Sequence, residues 1–377
     1  MYQKHGGWDW ELAMNFGILH ESRLNEKRVC LTPRGATSLI KRGHSVFVES
    51  GAGVASGFTD QAYTNKGAQI VFSSEEIYGR SDILLKLLPV NEECLDQMLD
   101  GQTVLTFQHL SVSSPGVFKS LTEKKITLIG MEIMEEQDGS RPILTIMSEL
   151  AGQMAPIIAG NYLGRDPMGR GVLLGSVPGV APASVVIIGA GMVGASAAQA
   201  FVGLGAQVHV LDKNIDQLRI VKNRLGERIT TLYANQTAVE KMISSADVVV
   251  TSILERGAPT PQIITRAMVK KMKHLSVLID YSIDEGGASE TSRPTLISDP
   301  VYVDEGVIHY CVPNITSGIN RTTSIALSNV LSKYLIQIAE MGIHRAMKDS
   351  HVLKKGLYTL EGRNMQPVLN RQFGIKI

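Results

Sequence analysis

The sequence predicts an α/β protein of two domains, each built on a parallel β-sheet flanked by helices. The chain has 377 residues, more than a single hydrophobic core usually serves. Short apolar runs alternate with segments of helical pattern along most of its length, which is typical of parallel sheets. The composition is 44% hydrophobic and 19% charged, which favours a compact globular fold over a disordered chain.

The first predicted region, residues 1–142, contains six β-like runs separated by polar segments of helical pattern. The runs are FGIL, SVFVES, AQIVF, DILLKLL, TVLTF and ITLIGM, and two of the helical segments are TPRGATSLIKRG and VNEECLDQML. Because helices lie between successive strands, we expect these strands to be parallel.

The second region, residues 143–321, is predicted to form a separate domain. A helix around Ser148–Leu163 is expected to lead the chain into it. Its apolar runs are ASVVIIGA, AQVHVLD, ERITTLYA, ADVVVTSI, LSVLIDYS and VIHYCV. They are nearly continuous in hydrophobicity, as expected for strands covered by helices on both faces. Residues 322–377 begin with a long helical pattern over Thr323–Met341, which we expect to return the chain to the first domain and make that domain discontinuous.

Charge and cysteine content exclude several classes of function. A net charge of +1 indicates neither nucleic acid nor an acidic membrane as a partner. Cys30, Cys94 and Cys311 are far apart and lack CxxC spacing, so we expect neither a disulfide framework nor a metal site. We find no uninterrupted apolar run of about 18 residues and no signal-peptide core, so we expect a cytoplasmic protein without a transmembrane helix.

A glycine-rich turn predicts the cofactor. Gly189, Gly191 and Gly194 follow the run VVII and open a helix, in the spacing GxGxxG. In this arrangement the first glycine permits a tight turn, the second admits a pyrophosphate to the backbone, and the third lets helix and strand pack closely. Asp212 ends the next apolar run at the usual offset, where a carboxylate accepts hydrogen bonds from ribose hydroxyls and repels a 2′-phosphate. The sequence therefore predicts a Rossmann-like domain that binds NAD, although Lys213 beside Asp212 weakens the preference over NADP.

Several segments resemble the alanine dehydrogenase and pyridine-nucleotide transhydrogenase family, and fit the alanine dehydrogenase branch better. They are GRGVLLGSVPGVAP at 169–182, Glu21 with NEKRV at 25–29, TFQHL at 106–110, MSELAG at 147–152, DYSIDEGG at 280–287 and YCVPN at 310–314. The resemblance covers nearly the whole chain from Met14. It implies two Rossmann-like domains with parallel sheets and, by family habit, a homo-oligomer, specifically a hexamer.

The resemblance also implies roles for individual residues. Arg28 would bind the substrate carboxylate, since a guanidinium suits bidentate contact. His109 would be the general acid and base, and Asp284 would steady the amine or water. The residues implied at the NAD site, besides the glycines and Asp212, are Ser148, Met192, Val193, Ile253, Leu254 and Asn314.

One segment departs from the family pattern. The family's dehydrogenases typically carry Lys-Val-Lys-Glu-Pro before the histidine motif, and the second lysine binds substrate. Here the segment reads DILLKLLPV, and counting back from His109 without a gap places Leu88 on that second lysine. Lys86 remains a candidate for the role, because a shift of two residues along a strand keeps a side chain on the same face.

The implied activity is NAD-dependent oxidative deamination of L-alanine, or a closely related small amino acid, and its reverse. Two alternatives stay open. The altered lysine segment would suit a reductive condensation of a 2-oxo acid with an amino acid, as in opine- or saccharopine-type enzymes. The second alternative is a non-catalytic NAD(H)-binding protein, and the joint retention of Arg28, His109 and Asp284 argues against it.

Overall fold

The computed structural model describes residues 13–21, 26–108, 113–164, 169–254 and 260–366. The chain divides into two compact units. Unit 1 combines the residues through Ile146 with those from Ile319 onward, and unit 2 is Met147–Gly318. The boundaries expected from sequence followed residues 142 and 321.

The described residues form two sheets and their flanking helices. The strands are β1 Asn15–Ile18, β2 Ser45–Glu49, β3 Gln69–Val71, β4 Ile83–Leu85, β5 Thr103–Thr106, β6 Thr127–Gly130, β7 Ser184–Ile188, β8 Gln207–Asp212, β9 Ile229–Tyr233, β10 Val248–Thr251, β11 Val277–Asp280, β12 Val301–Asp304, β13 Val307–Tyr310, β14 Leu357–Leu360 and β15 Arg363–Asn364. The α-helices are α1 Pro33–Ile40, α2 Asp60–Thr64, α3 Ser74–Arg80, α4 Glu92–Gln97, α5 Pro115–Glu123, α6 Pro142–Gly164, α7 Met192–Gly203, α8 Ile215–Leu225, α9 Gln236–Ser244, α10 Arg266–Val269, α11 Asn320–Met341, α12 Ile343–Asp349 and α13 His351–Lys355.

The sheet of unit 1 has the strand order β15-β14-β6-β5-β4-β1-β2-β3. Strands β1 to β6 are mutually parallel, and each falls within one of the six predicted runs or overlaps it. Strand β14 pairs antiparallel with β6, and β15 pairs antiparallel with β14. These last two strands, which follow the long helical pattern of the C-terminal region, were not predicted from the sequence.

The sheet of unit 2 has the order β12-β13-β11-β10-β7-β8-β9. Without β12, this is the doubly wound order 3-2-1-4-5-6 of a dinucleotide-binding fold. Strands β1 to β6 of unit 1 follow the same order, so the two Rossmann-like domains predicted from the sequence are confirmed. Strand β12 was not predicted, and it pairs antiparallel with β13 at the sheet edge.

The sheet of unit 2 is buried on both faces, as its continuous apolar runs predicted. Val185 and Ile187 of β7 pack into one core cluster, whereas Val186 and Ile188 pack into the other. Alternate residues of a strand point to opposite faces, so both faces must be apolar.

Helix α6 is long and apolar enough, by length and composition, to cross a membrane, and it alone meets that test in the part of the chain that the structure describes. No transmembrane helix was expected from the sequence, because it shows no apolar run of about 18 residues. Ala155, Ala159 and Leu163 of α6 are fully buried in the core of unit 2. The apolar side of α6 therefore serves as a core face.

Candidate functional site

The glycine turn of unit 2 connects β7 to α7, and its three glycines meet different surroundings. Gly189 has a φ of +110°, and a Cβ there would collide with the Ser252 carbonyl oxygen. A Cβ at Gly194 would collide with the Gly189 carbonyl oxygen. A Cβ at Gly191 would meet no described atom within 4 Å. The first and third glycines are therefore required by packing, while the second leaves open space above the backbone.

A cavity of about 780 Å³ opens beside this turn. Its volume lies within the usual range for sites that bind small molecules and cofactors. Of the predicted cofactor residues, the lining includes Gly189, Gly191, Asp212, Ile253 and Leu254. Polar residues that the sequence interpretation did not single out also line it, among them Asn214, Gln217, Asn235, Gln236 and Gln262.

The carboxylate of Asp212 is fixed at the end of β8 by two backbone donors. Its Oδ2 accepts a hydrogen bond from Ala190 N at 2.6 Å, and its Oδ1 accepts one from Asn214 N at 2.7 Å. A carboxylate has about four acceptor positions, so it can also accept from a ligand hydroxyl. The open space at Gly191 and the oriented Asp212 acceptor fit the diphosphate and ribose of a dinucleotide.

The remaining predicted residues of unit 2 lie outside the lining of this cavity. Met192 and Val193 form the first turn of α7, and Ser148 lies on α6. Asn314 adopts a positive φ of +51°. Asp284 is exposed on the single helical turn Ile283–Glu285.

In unit 1, Arg28 is buried and held by a neighbouring carboxylate. The Arg28 Nε donates to Glu26 Oε1 at 2.8 Å, and Nη2 donates to Glu26 Oε2 at 2.6 Å. Burial would lower the pKa of the guanidinium, but the hydrogen bond to Glu26 and the charges of neighbouring groups, Glu26 foremost, together keep the pKa above its usual value. Glu26 therefore orients Arg28 and stabilises its charged form.

Lys86 directly follows β4 and is paired with Glu21. Its Nζ donates to Glu21 Oε1 at 2.8 Å, and the two side chains are 7% and 6% exposed. Glu21 also accepts hydrogen bonds from Leu87 N at 2.5 Å and Leu88 N at 3.0 Å. The Glu21 carboxylate thus binds both the Lys86 ammonium and two backbone N–H groups of the turn after β4.

The carboxylates of Glu21 and Glu26 are the functional features that sequence reasoning missed. Both residues were within or beside the motif that carries Arg28, yet neither was given a role. Charged side chains are almost never fully buried unless they are paired. Because Arg28 and Lys86 were candidates for a buried site, each needed a carboxylate partner, and this need could have singled out Glu21 and Glu26.

The candidate acid-base residue His109 lies outside the described residues. The segment leading to it is anchored at Gln108, which is buried. Gln108 N donates to both carboxylate oxygens of Glu132 at 3.2 Å. The Gln108 side-chain amide accepts from Val90 N and donates to the Val90 carbonyl oxygen, at 3.1 and 3.2 Å.

Replacing Lys86 by methionine is expected to lower the free energy of unfolding by about 3–5 kcal/mol, because it leaves the Glu21 carboxylate buried without its counter-ion. Urea unfolding measures the change. Lys119→Met is the control, since Lys119 pairs with Glu123 on the surface with both side chains more than half exposed. It should change the free energy by no more than about 1 kcal/mol. Equal effects of the two substitutions would contradict a structural role for the Lys86 pair.

The strand order, the glycine turn and the acidic residue ending β8 define an α/β protein of the Rossmann class. The chain belongs to the alanine dehydrogenase/PNT family: the model of its N-terminal domain matches residues 17–151 and that of its C-terminal domain matches residues 155–367. The family resemblance expected from the sequence is confirmed.

Relatives match over nearly the full chain. The alanine dehydrogenase of Methanococcus maripaludis is 40% identical over 351 residues, which cover 93% of this chain and 94% of that protein. The alanine dehydrogenase of Bacillus subtilis is 38% identical over 362 residues, covering 96% and 95%. A solved structure of an L-alanine dehydrogenase superposes with a TM-score of 0.89 at 35% identity, covering 96% of this chain and 99% of that one. A transhydrogenase from Sinorhizobium meliloti shares the fold, with a TM-score of 0.78 at 24% identity over 94% of this chain and 99% of its own.

Proposed function

We propose that this protein is an NAD-dependent alanine dehydrogenase, which interconverts L-alanine, NAD and water with pyruvate, ammonia and NADH. The observation that carries the proposal is the match to an L-alanine dehydrogenase structure over 96% of the chain. The buried Arg28 held by Glu26 supports it, because a guanidinium carries five donors and can hydrogen bond Glu26 and an amino-acid carboxylate together.

On the substrate side, the proposal assigns three roles. Arg28 binds the carboxylate shared by alanine and pyruvate. His109 takes the proton released as water adds to the imine and returns it as ammonia leaves, a role that suits imidazole because its ordinary pKa lies near neutrality. Asp284 accepts hydrogen bonds from the amine or the attacking water.

Lys86 is the less suitable substrate ligand in this arrangement. Its ammonium already binds Glu21 at 2.8 Å, and Leu88 presents an apolar side chain at the position matching the family's second lysine. The proposal therefore assigns the main carboxylate contact to Arg28 and keeps Lys86 as a secondary candidate.

The cofactor in this proposal is NAD, which accepts hydride from the substrate when bound. Asp212 accepts hydrogen bonds from the ribose hydroxyls and repels a 2′-phosphate, which favours NAD over NADP. Gly191 leaves room for the diphosphate, and Ile253 and Leu254 provide apolar contact in the same cavity. Ser148, Met192, Val193 and Asn314 are assigned to the remaining cofactor contacts by family resemblance alone.

The proposal also includes a cytoplasmic homo-oligomer, with a hexamer as the specific expectation. The near-neutral net charge of +1 supports the absence of nucleic-acid or acidic-membrane partners. Light scattering coupled to size exclusion measures the assembly, and a monomer at micromolar concentration would contradict it.

A panel of NADH oxidation assays tests the activity. Pyruvate, glyoxylate and 2-oxobutyrate are each supplied with ammonium or with an added amino acid such as lysine. We expect the highest kcat/KM with pyruvate and ammonium. Turnover that requires the amino acid would instead support reductive condensation, and NADH binding without turnover on any pair would support a non-catalytic role.

A further inference from the structure

The carboxyl ends of β10 and β11 are joined by a buried polar network, and β10 leads directly into Ser252 and Ile253 of the cavity lining. Thr251 ends β10 and pairs in register with Asp280, which ends β11. Thr251 Oγ1 donates to Asp280 Oδ1 at 2.6 Å, and the two residues are 0% and 1% exposed. Hydrogen bonds in such dry surroundings are strong and hold their groups in one arrangement.

The Asp280 carboxylate also hydrogen bonds both ends of the loop that carries Asp284. Asp280 Oδ1 also accepts from Ser282 N at 3.0 Å, and Oδ2 accepts from Ala288 N at 2.9 Å. These two bonds bracket residues 283–287. Gly287, with a φ of +85°, passes so close that a Cβ there would lie 3.2 Å from Asp280 Oδ2. The base of the Asp284 turn is therefore fixed by one carboxylate.

A second contact links this turn to the wall of the cavity. Ile253, which lines the cavity, donates from its backbone N to Ser282 Oγ at 2.9 Å. Its neighbour Ser252 donates from Oγ to the Gly189 carbonyl oxygen at 3.2 Å. Two hydrogen bonds, joined through the adjacent residues Ser252 and Ile253, thus link the glycine turn to Ser282, two residues before Asp284.

We infer that Ser282, anchored by Asp280, is a positioning residue that couples occupancy of the cavity to the placement of Asp284. A ligand in the cavity restricts the motion of Ile253, whose N–H donates to the Ser282 hydroxyl. Because the base of the turn Ile283–Glu285 is already fixed, restricting Ser282 also restricts the motion of the turn. The inference deepens the proposed function and rests on it for the role of Asp284.

Ser282→Ala is the test, because it removes the hydroxyl and little else. Ser276→Ala is the matched control: Ser276 is 0% exposed, immediately precedes β11 at its opposite end, and its hydroxyl has no hydrogen-bond partner among the described residues. The full-length protein is used for both. NADH affinity is measured by fluorescence, and deuterium exchange of amides 283–288 is measured with and without NADH.

In the unsubstituted protein and in Ser276→Ala, NADH is expected to slow exchange of these amides. In Ser282→Ala that protection should be lost, and the Kd for NADH should rise about threefold to tenfold, as expected for one hydrogen bond. The inference is overturned if Ser282→Ala keeps the protection, if Ser276→Ala loses it too, or if NADH never protects the turn.

The exchange experiment separates this inference from the proposed function. NADH-dependent protection that needs Ser282, in a protein that turns over no amino acid, would count against the proposed function alone. Turnover of alanine with protection unaffected by Ser282→Ala would count against the inference alone.

Discussion

Replacing Arg28 by lysine is expected to raise the KM for L-alanine and for pyruvate by about thirtyfold or more, with little loss of stability. Lysine keeps a positive charge opposite Glu26, so the buried carboxylate retains a counter-ion. Its ammonium has three donors on one nitrogen, so it cannot reproduce the planar guanidinium, whose five donors let one side chain bind Glu26 and a substrate carboxylate together. Losing such a contact in a buried site costs about 2–5 kcal/mol, and 1.4 kcal/mol is a factor of ten. Steady-state kinetics at saturating NAD measures the effect.

Arg42→Lys provides the matched control for that substitution. Arg42 pairs with Glu340 at 2.9 Å in the same unit, but the two side chains are 42% and 55% exposed. Exposed pairs contribute little, so its kinetic constants should match those of the unsubstituted protein. An unchanged KM in Arg28→Lys, with thermal unfolding also unchanged, would remove Arg28 from the substrate site.

Alanine substitutions in the glycine turn are expected to separate cofactor binding from folding. At Gly191 a Cβ meets no described atom within 4 Å, so the fold should be retained. The added methyl would occupy the space assigned to the diphosphate, and we expect the Kd for NADH to rise about tenfold or more, which corresponds to at least about 1.4 kcal/mol. At Gly194 the Cβ would collide with the Gly189 carbonyl oxygen, so stability should fall by about 1–3 kcal/mol.

Gly203→Ala is the control, since it lies in the same helix α7 and its Cβ also meets no described atom within 4 Å. It should leave the Kd for NADH unchanged. Calorimetry without ligand and fluorescence titration with NADH distinguish the three variants. If Gly191→Ala binds NADH as tightly as Gly203→Ala does, the cofactor does not approach the backbone at this turn.

The regular part of the fold could be predicted because it depends on local pattern. Buried parallel strands require apolar residues on both faces, so the runs that became β7, β8, β10 and β11 were recognisable directly. The glycine turn was recognisable for a related reason: Gly189 adopts a φ of +110° that other residues rarely adopt, and the spacing to Gly194 follows from helix geometry.

The missed strands share one cause. The hairpins β12–β13 and β14–β15 both turn through a Glu-Gly pair, at Glu305-Gly306 and Glu361-Gly362, and all four residues have positive φ. Asn-Gly and Asp-Gly are the common signals for such turns, because Asn and Asp tolerate positive φ better than Glu. Strand β14 is also stabilised by pairing with the distant β6, and β15 by pairing with β14, which no local pattern reports.

The sequence by itself determined the α/β class and the position of the glycine turn, because backbone conformation and hydrophobic period are local properties that a single chain displays. Its resemblance to a known family supplied Arg28, His109 and Asp284 as candidates. Only the tertiary structure decided that Glu26 holds Arg28, that Glu21 holds Lys86 and the backbone at Leu88, and that Asp280 closes the loop of Asp284. Burying a charge is costly unless a partner is present, and which partner lies within 3 Å depends on how the folded elements pack.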